Sequence, residues 1–212
     1  MGLQAIQGLC PGSLFVMPYL FSCQSLGKAF GPQTLFTDIS LVVRPGDRVG
    51  LIVPHTSDKS TLLKIICSLE DEDNGTILRR KLAVTSYLAQ DDTFDESGSA
   101  LDNLIAALVG YPLDESEKLN RAQAMLSRAE FISDDQPVRL LSGGWRKRLS
   151  ICRSLVVEPD LLVMDEPTNH LDIEGIIWLE KLLSGSFGFS PAAYSMVSHD
   201  RCFLENCVNS VV

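Results

Sequence analysis

Two short segments of this chain constrain its fold more than anything else in it. One is Leu141-Ser142-Gly143-Gly144-Trp145; the other, from residue 165, is Asp165-Glu166-Pro167-Thr168-Asn169-His170-Leu171-Asp172. In the first, two glycines precede a stretch whose apolar residues Leu149, Cys152, Leu155 and Val156 share one helical face. That pattern predicts a helix whose bare N–H groups and positive dipole end can face an anion. The second follows Leu161-Leu162-Val163-Met164, an unbroken apolar run expected of a strand buried on both faces. A Ser-Gly-Gly alone is usually an ordinary turn, and paired carboxylates after an apolar strand are usually a cap. Occurring together and in this order, they point to chemistry: Asp165 placed to hold Mg²⁺ through water, Glu166 to orient and polarise a hydrolytic water.

The rest of the chain supplies a matching frame. From Phe21 to Val53 short apolar runs alternate with turn signals at Gly31-Pro32 and Pro45-Gly46, and Arg48 to Val53 is expected as a buried strand. A helix is expected from about Ser60, with Leu62, Ile66 and Leu69 on one face. Asn74-Gly75 signals a hairpin, and Lys81 to Ala89 a further strand. Residues 95–157 are expected to form a helical subdomain, and Ile173 to Leu183 another helix before a strand at Tyr194 to Val197. Strands alternating with helices imply a mostly parallel sheet covered on both faces, with functional loops at the strands' carboxyl ends. Residues 1–20 have no clear period and are expected to be a poorly ordered leader, with one domain over 21–212.

Composition narrows the function. Hydrophobic residues make up 45% of the chain, enough for a sizeable core and against general disorder. A net charge of −9 speaks against direct nucleic-acid binding, because neutralising phosphates supplies most of that affinity. Arg79-Arg80-Lys81 and Arg146-Lys147-Arg148 are the two basic clusters, each expected to be a solvated face. Six scattered cysteines without a CxxC pair fit reduced thiols. Residues 1–21 lack the basic start and unbroken apolar run of a signal peptide, and Ile6 breaks a myristoylation pattern. No stretch is long and apolar enough to span a bilayer. A soluble, cytoplasmic chain is expected.

The motifs together resemble the nucleotide-binding domain of ATP-binding cassette (ABC) ATPases, from about Phe21 to Val212. Leu141 to Trp145 resembles the family signature, Asp165-Glu166 the Walker B pair and Asn169 to Asp172 the D-loop. Gln90 is similar in position to the Q-loop glutamine, His199 to the switch histidine, and Phe30 to the aromatic residue that faces adenine. The resemblance implies a P-loop NTPase (RecA-like) α/β core with a mostly parallel sheet, an N-terminal antiparallel β portion and a helical subdomain. It also implies roles. Lys59 and Thr61 belong to the phosphate loop, Ser60, Gln90 and Asp165 to Mg²⁺, Glu166 to the water and His199 to the γ-phosphate of ATP. Ser142, Gly143 and Gly144 face the nucleotide of a partner cassette, in a homodimer or as the second half of a longer chain. Trp145, the Asn-His-Leu-Asp D-loop and Ser198-His199-Asp200-Arg201 resemble ABC-F proteins, in particular the first cassette of the Uup-like group. That implies a role on the ribosome or in translation.

One segment departs from the family pattern. The Walker A loop keeps Lys59-Ser60-Thr61, but Val53, Thr56 and Asp58 stand where glycines are expected. Glycines there permit positive φ and close approach to phosphate; β-branched residues do not, and Asp58 adds a like charge. Pro54 also lacks a backbone donor. Two rival expectations follow: a pseudoenzyme cassette that binds partners but little nucleotide, and the cytosolic ATPase subunit of a transporter.

Overall fold

The computed structural model describes residues 19–52, 56–91 and 93–212, with 56–58 described by backbone alone. Residues 1–18 of the expected leader, Val53, and the side chains of Thr56 and Asp58 lie outside the described residues. Leu20, at the expected leader's end, is buried and donates its N–H to the Val43 carbonyl at 2.7 Å.

The strands divide into two sheets. β1 (Phe21–Phe30) pairs antiparallel with both β2 (Gln33–Val43) and β4 (Asn74–Arg79), and the turns at Gly31-Pro32 and Pro45-Gly46 fall where expected. The second sheet is parallel throughout, in the order β5 (Thr85–Leu88), β6 (Leu161–Asp165), β7 (Ala193–Val197), β3 (Arg48–Gly50), β8 (Ser210–Val211). Its crossovers carry helices. α1 (Thr56–Ile66) follows β3; α2 (Ala100–Ala107), α3 (Glu115–Arg128) and α4 (Gly143–Leu155) lie between β5 and β6; α5 (Ile173–Leu183) and α6 (Arg201–Cys207) flank β7. This is the α/β P-loop architecture expected from the motifs.

The alternation of side chains along β6 shows why its sequence is wholly apolar. Leu161 and Val163 enter a core with Leu62, Leu63, Ile65 and Ile66 of α1, and with Phe21, Leu26 and Leu41 of the antiparallel sheet. Leu162 and Met164 point the other way, into a core with Leu149, Cys152 and Leu155 of α4, Leu179 of α5 and Leu104 of α2. A strand covered on both faces has no polar side to show.

Several local expectations are corrected. Leu69 lies beyond the end of α1 and is exposed; Leu63 and Ile65 bury instead, because the sheet covers a broader stripe of the helix. The strand after Arg48 ends at Gly50, although Leu51 and Ile52 still donate to the Met196 and Val212 carbonyls at 2.8 Å each. Asn74-Gly75 is no hairpin turn but the start of β4, opposite an irregularity in β1 between Gln24 and Gly27. Gly75 sits at φ +108°, and a Cβ there would lie 2.8 Å from the Gln24 carbonyl, so glycine serves a bulge crossing, not a turn. Of the two basic clusters, Arg79-Arg80-Lys81 is exposed as expected, whereas Arg146-Lys147-Arg148 is not a solvated face. Lys147 and Arg148 are buried, the latter stacked between Trp145 and Trp178 at 4.8 and 5.1 Å. Arg79 donates to the Ile65 carbonyl at 2.6 Å and lies over the Phe21 ring.

The free thiols fit the expected reduced state. Burial pushes Cys67, Cys152 and Cys207 up to about 12, which leaves them unreactive at neutral pH.

Candidate active site

Strand register builds the site. β6 and β7 run side by side with Asp165 opposite Val197, so the residues that follow them emerge together at the sheet's carboxyl edge. The Glu166 N–H donates to the Val197 carbonyl at 2.9 Å, and its backbone turns into the left-handed region at φ +46°. A non-glycine residue held there costs on the order of 1–3 kcal/mol and persists where its surroundings fix it. The turn folds the carboxylate over the end of β7, where Oε2 accepts the His199 N–H at 3.1 Å.

The other oxygen, Oε1, is buried and lacks a hydrogen-bond partner. His199 Nε2 lies 3.3 Å from it, close enough for charge attraction but without the alignment of a hydrogen bond. Glu166 is 6% exposed, whereas the imidazole is 66% exposed and open to whatever enters the site. A buried carboxylate oxygen with free lone pairs is a strong acceptor kept from bulk water.

Asp165 faces the first turns of α1. Its Oδ2 accepts from the Ser60 hydroxyl at 2.5 Å and from the Tyr87 hydroxyl at 3.2 Å. Lys59, one residue earlier, is buried, as is Thr61. The donor set fits Mg²⁺: a carboxylate and a hydroxyl oxygen meet at one point. Mg²⁺ binds through one or two such ligands, substrate phosphates and retained waters, not through a cage of protein groups. Consistently, the described residues hold no cluster of three or more His, Cys, Asp or Glu side chains placed as metal ligands. Ser60 and Asp165 are the residues that would hold the ion, with Gln90 the expected third.

The remaining expected residues lie around this cluster. Ser142 caps α4, its hydroxyl accepting the Trp145 N–H at 3.5 Å, and both Ser142 and Gly143 are exposed. Gly144 packs against the segment that follows Glu166: a Cβ there would lie 3.1 Å from the His170 carbonyl. Gln90, just after β5, lines one cleft with Gly143, Arg146 and His170. Phe30 stands apart at the end of β1, 53% exposed, with Lys28 Nζ 5.5 Å from its ring centroid. The structure therefore joins Ser60 to Asp165 and Glu166 to His199 by direct contact, with Asp165 and Glu166 adjacent in the chain. It brings Gln90 to the signature helix and leaves Phe30 as an exposed flank.

Comparison with known proteins identifies the family. A family model described as ABC transporter matches residues 36–169, well over half of the chain. The chain belongs to the ABC ATPase family. The uncharacterized ABC transporter ATP-binding protein YfmR of Bacillus subtilis is 34% identical, over 91% of this chain and 36% of its own length. The energy-dependent translational throttle protein EttA of Mycobacterium tuberculosis is 31% identical, over 89% of this chain and 39% of its own. ABC transporter F family member 2 of Arabidopsis thaliana is 35% identical, over 89% of this chain and 27% of its own. The chain thus spans less than half the length of each of these relatives. A solved ATP-binding subunit of an ABC transporter shares the fold, with a TM-score of 0.79 at 22% identity, covering 91% of this chain and 85% of that one. In the described part of this ABC cassette no helix is long and apolar enough to cross a membrane.

Three contacts around the site escaped the sequence. Tyr87 reads as one more residue of a strand, and its hydroxyl reaches Asp165 on the neighbouring β6. Thr168 and Ser198, whose hydroxyls lie 3.4 Å apart, link the segment after Glu166 to the turn that carries His199. Lys147 hides in a cluster that composition alone marks as surface.

Proposed function

We propose that this cassette binds ATP with Mg²⁺ and hydrolyses it in a site completed by a second cassette, as one half of an ABC-F type ATPase working on the translation machinery. The observation that carries the catalytic part is the buried, unpartnered Oε1 of Glu166 beside the exposed His199, at the edge where Asp165 meets Ser60. The translational part is supported by likeness to EttA, by Trp145 and by the Asn169 to Asp172 loop. A cytoplasmic location goes with it.

In this proposal Lys59 neutralises the phosphates and Thr61 steadies the loop behind it. Phe30 offers its exposed ring to adenine. Ser60, Asp165 and Gln90 would hold Mg²⁺, which would supply positive charge against the phosphates. Glu166 Oε1 accepts a hydrogen bond from the attacking water, raising electron density on its oxygen and aligning it with the γ-phosphorus. His199, free to turn, donates to a γ-phosphate oxygen as charge develops there. The exposed Ser142 and Gly143, with the half-buried Gly144 behind them, present hydroxyl and N–H donors to the γ-phosphate held by the partner.

Substitution of Glu166 by Gln tests this. The variant keeps the shape and the contact with the His199 N–H but accepts a proton far less readily. Hydrolysis should fall about a hundredfold or more, with the ATP dissociation constant changed no more than a few-fold. Comparable losses in binding and turnover would remove Glu166 from the chemistry. A pseudoenzyme, the reading favoured by Val53, Thr56 and Asp58, gives negligible ATP binding by the parent chain in calorimetry while partner binding persists.

A further inference from the structure

Lys147 is a lysine on a signature helix that has been taken almost wholly out of water. It is 4% exposed, and its ammonium donates to the Ala89 carbonyl at 2.9 Å and the Gln90 carbonyl at 3.3 Å. A buried ammonium is kept only where it meets strong acceptors. Here those acceptors are the backbone of the residue expected to bind Mg²⁺ and of the residue before it.

Two more cations of α4 grip the same loop farther along. Arg153 donates to the Thr93 carbonyl at 2.6 Å and lies 4.6 Å from the Phe94 ring centroid. Arg146 forms a two-pronged pair with Glu96, at 2.6 and 2.7 Å, and also reaches the Leu141 carbonyl at 3.4 Å. Three side chains of one helix thus fasten the loop at 89–90, at 93–94 and at 96. The innermost fastening is the buried one, and it falls on Gln90.

Resting on the ATPase reading above, we infer that Lys147 is a positioning residue. It holds the Gln90 backbone to α4, so that Gln90 and the signature residues Ser142 to Gly144 shift as one body. A cassette built this way reports closure of the partner's nucleotide against Ser142 directly to its own Mg²⁺ ligand. Arg146 and Arg153 set the loop's outer path; Lys147 sets the position of Gln90 itself.

The test is amide hydrogen exchange on the nucleotide-free chain, comparing the parent with Lys147→Met and Lys147→Arg. Methionine retains the packed stem and removes the donors, leaving two carbonyls without the ammonium. Exchange in peptides covering 89–94 should accelerate about tenfold in Lys147→Met. It should return close to the parent's in Lys147→Arg, while peptides covering β1 and β2 stay unchanged. Unchanged exchange at 89–94 overturns the inference, and so does equal acceleration across the whole chain, the mark of a purely structural lysine.

A turnover measurement adds a second arm in an Asp58→Gly background. Lys147→Met should lower kcat about tenfold with the ATP KM unmoved, and should add nothing once Gln90→Ala is present. Additive losses overturn the positioning role. An Asp58→Gly protein without turnover leaves the exchange result to decide alone. Failure of Glu166→Gln to affect hydrolysis would strike the ATPase reading and leave the exchange result intact, so the two are separable.

Discussion

Two helices begin beside the site and cover opposite faces of the parallel sheet, yet their openings are built differently. α4 starts on Ser142-Gly143-Gly144, with a serine cap and a glycine fitted against the His170 carbonyl. α1 starts at Thr56, after a segment in which Val53, Thr56 and Asp58 replace the glycines of the family pattern. Despite this, Lys59 is buried and Ser60 reaches Asp165 at 2.5 Å. The contrast separates two requirements that usually travel together. Presenting Ser60 to Asp165 depends on a helix running out from β3 beside β6, which an apolar face of Leu62, Leu63, Ile65 and Ile66 secures. Wrapping a phosphate closely depends on backbone freedom and on the absence of negative charge, and the composition of the α1 opening weakens both without removing Lys59.

The largest effect expected from sharpening this comparison is on nucleotide affinity. On the proposed reading, Asp58→Gly removes a carboxylate from a loop that must carry phosphate charge. One such contact at 4 Å costs about 4 kcal/mol at an effective dielectric near 20. That corresponds to affinity for ATP·Mg²⁺ tighter by on the order of a thousandfold, read by calorimetric titration. Val53→Gly and Thr56→Gly should each add smaller, mainly conformational gains, non-additive because the three positions shape one loop. Tight binding by the parent would break the comparison outright, since phosphate would then be held without glycines.

At α4 the same substitution in reverse has a smaller, positional consequence. A Cβ on Gly144 would meet the His170 carbonyl at 3.1 Å, and backbone cannot give way as a flexible side chain can; on Gly143 the nearest atom is 3.9 Å away. Gly144→Ala should therefore cost about 1–2 kcal/mol, typical of mild overpacking. That is several degrees in Tm for a chain of this size. Gly143→Ala should be neutral or stabilise by up to about 1 kcal/mol, through helix propensity. Equal losses in thermal denaturation at both positions would show that the glycines serve the helix opening alone, not its fit to the D-loop.

The sequence displayed the candidate site residues more clearly than the geometry around them. Asp165, Glu166 and His199 were legible because each terminates or follows an apolar strand, and parallel strands deliver such residues to one edge. Ile173 to Leu183 was legible to the residue, since Asp172 caps its start and its buried face is regular. Gly75 misled, because a hairpin signal and a bulge crossing both want a glycine with positive φ. The surface status of Lys147 and Arg148 misled for a related reason: charge density says nothing about whether carbonyls or tryptophans await on a neighbouring element. Tyr87 and Lys147 act through groups 78 and 57–58 residues away in sequence, contacts that only strand order and helix packing create.

The smallest expected effect concerns the outer clasp of the α4 opening and is best read by pH. The Arg146 guanidinium, hydrogen-bonded to both Glu96 oxygens, holds the Glu96 carboxyl below its ordinary value of 4.5, and Glu96 in turn raises Arg146. A carboxylate depressed in the folded state stabilises the fold above its unfolded value and ceases to do so as pH falls through the folded one. Glu96→Gln should therefore be slightly less stable than the parent at pH 7. The gap should narrow as pH drops below about 4.5 and close once Glu96 is protonated in both states. With Glu96 53% and Arg146 31% exposed, screening keeps the effect small, and about 1 M salt should shrink it further. Denaturant titrations of both proteins at stepped pH supply the measurement. A gap that stays constant through acidification would mean that Glu96 acts by shape alone, and that the α4 opening is held by Ser142, Gly144 and the buried Lys147 without help from charge at its rim.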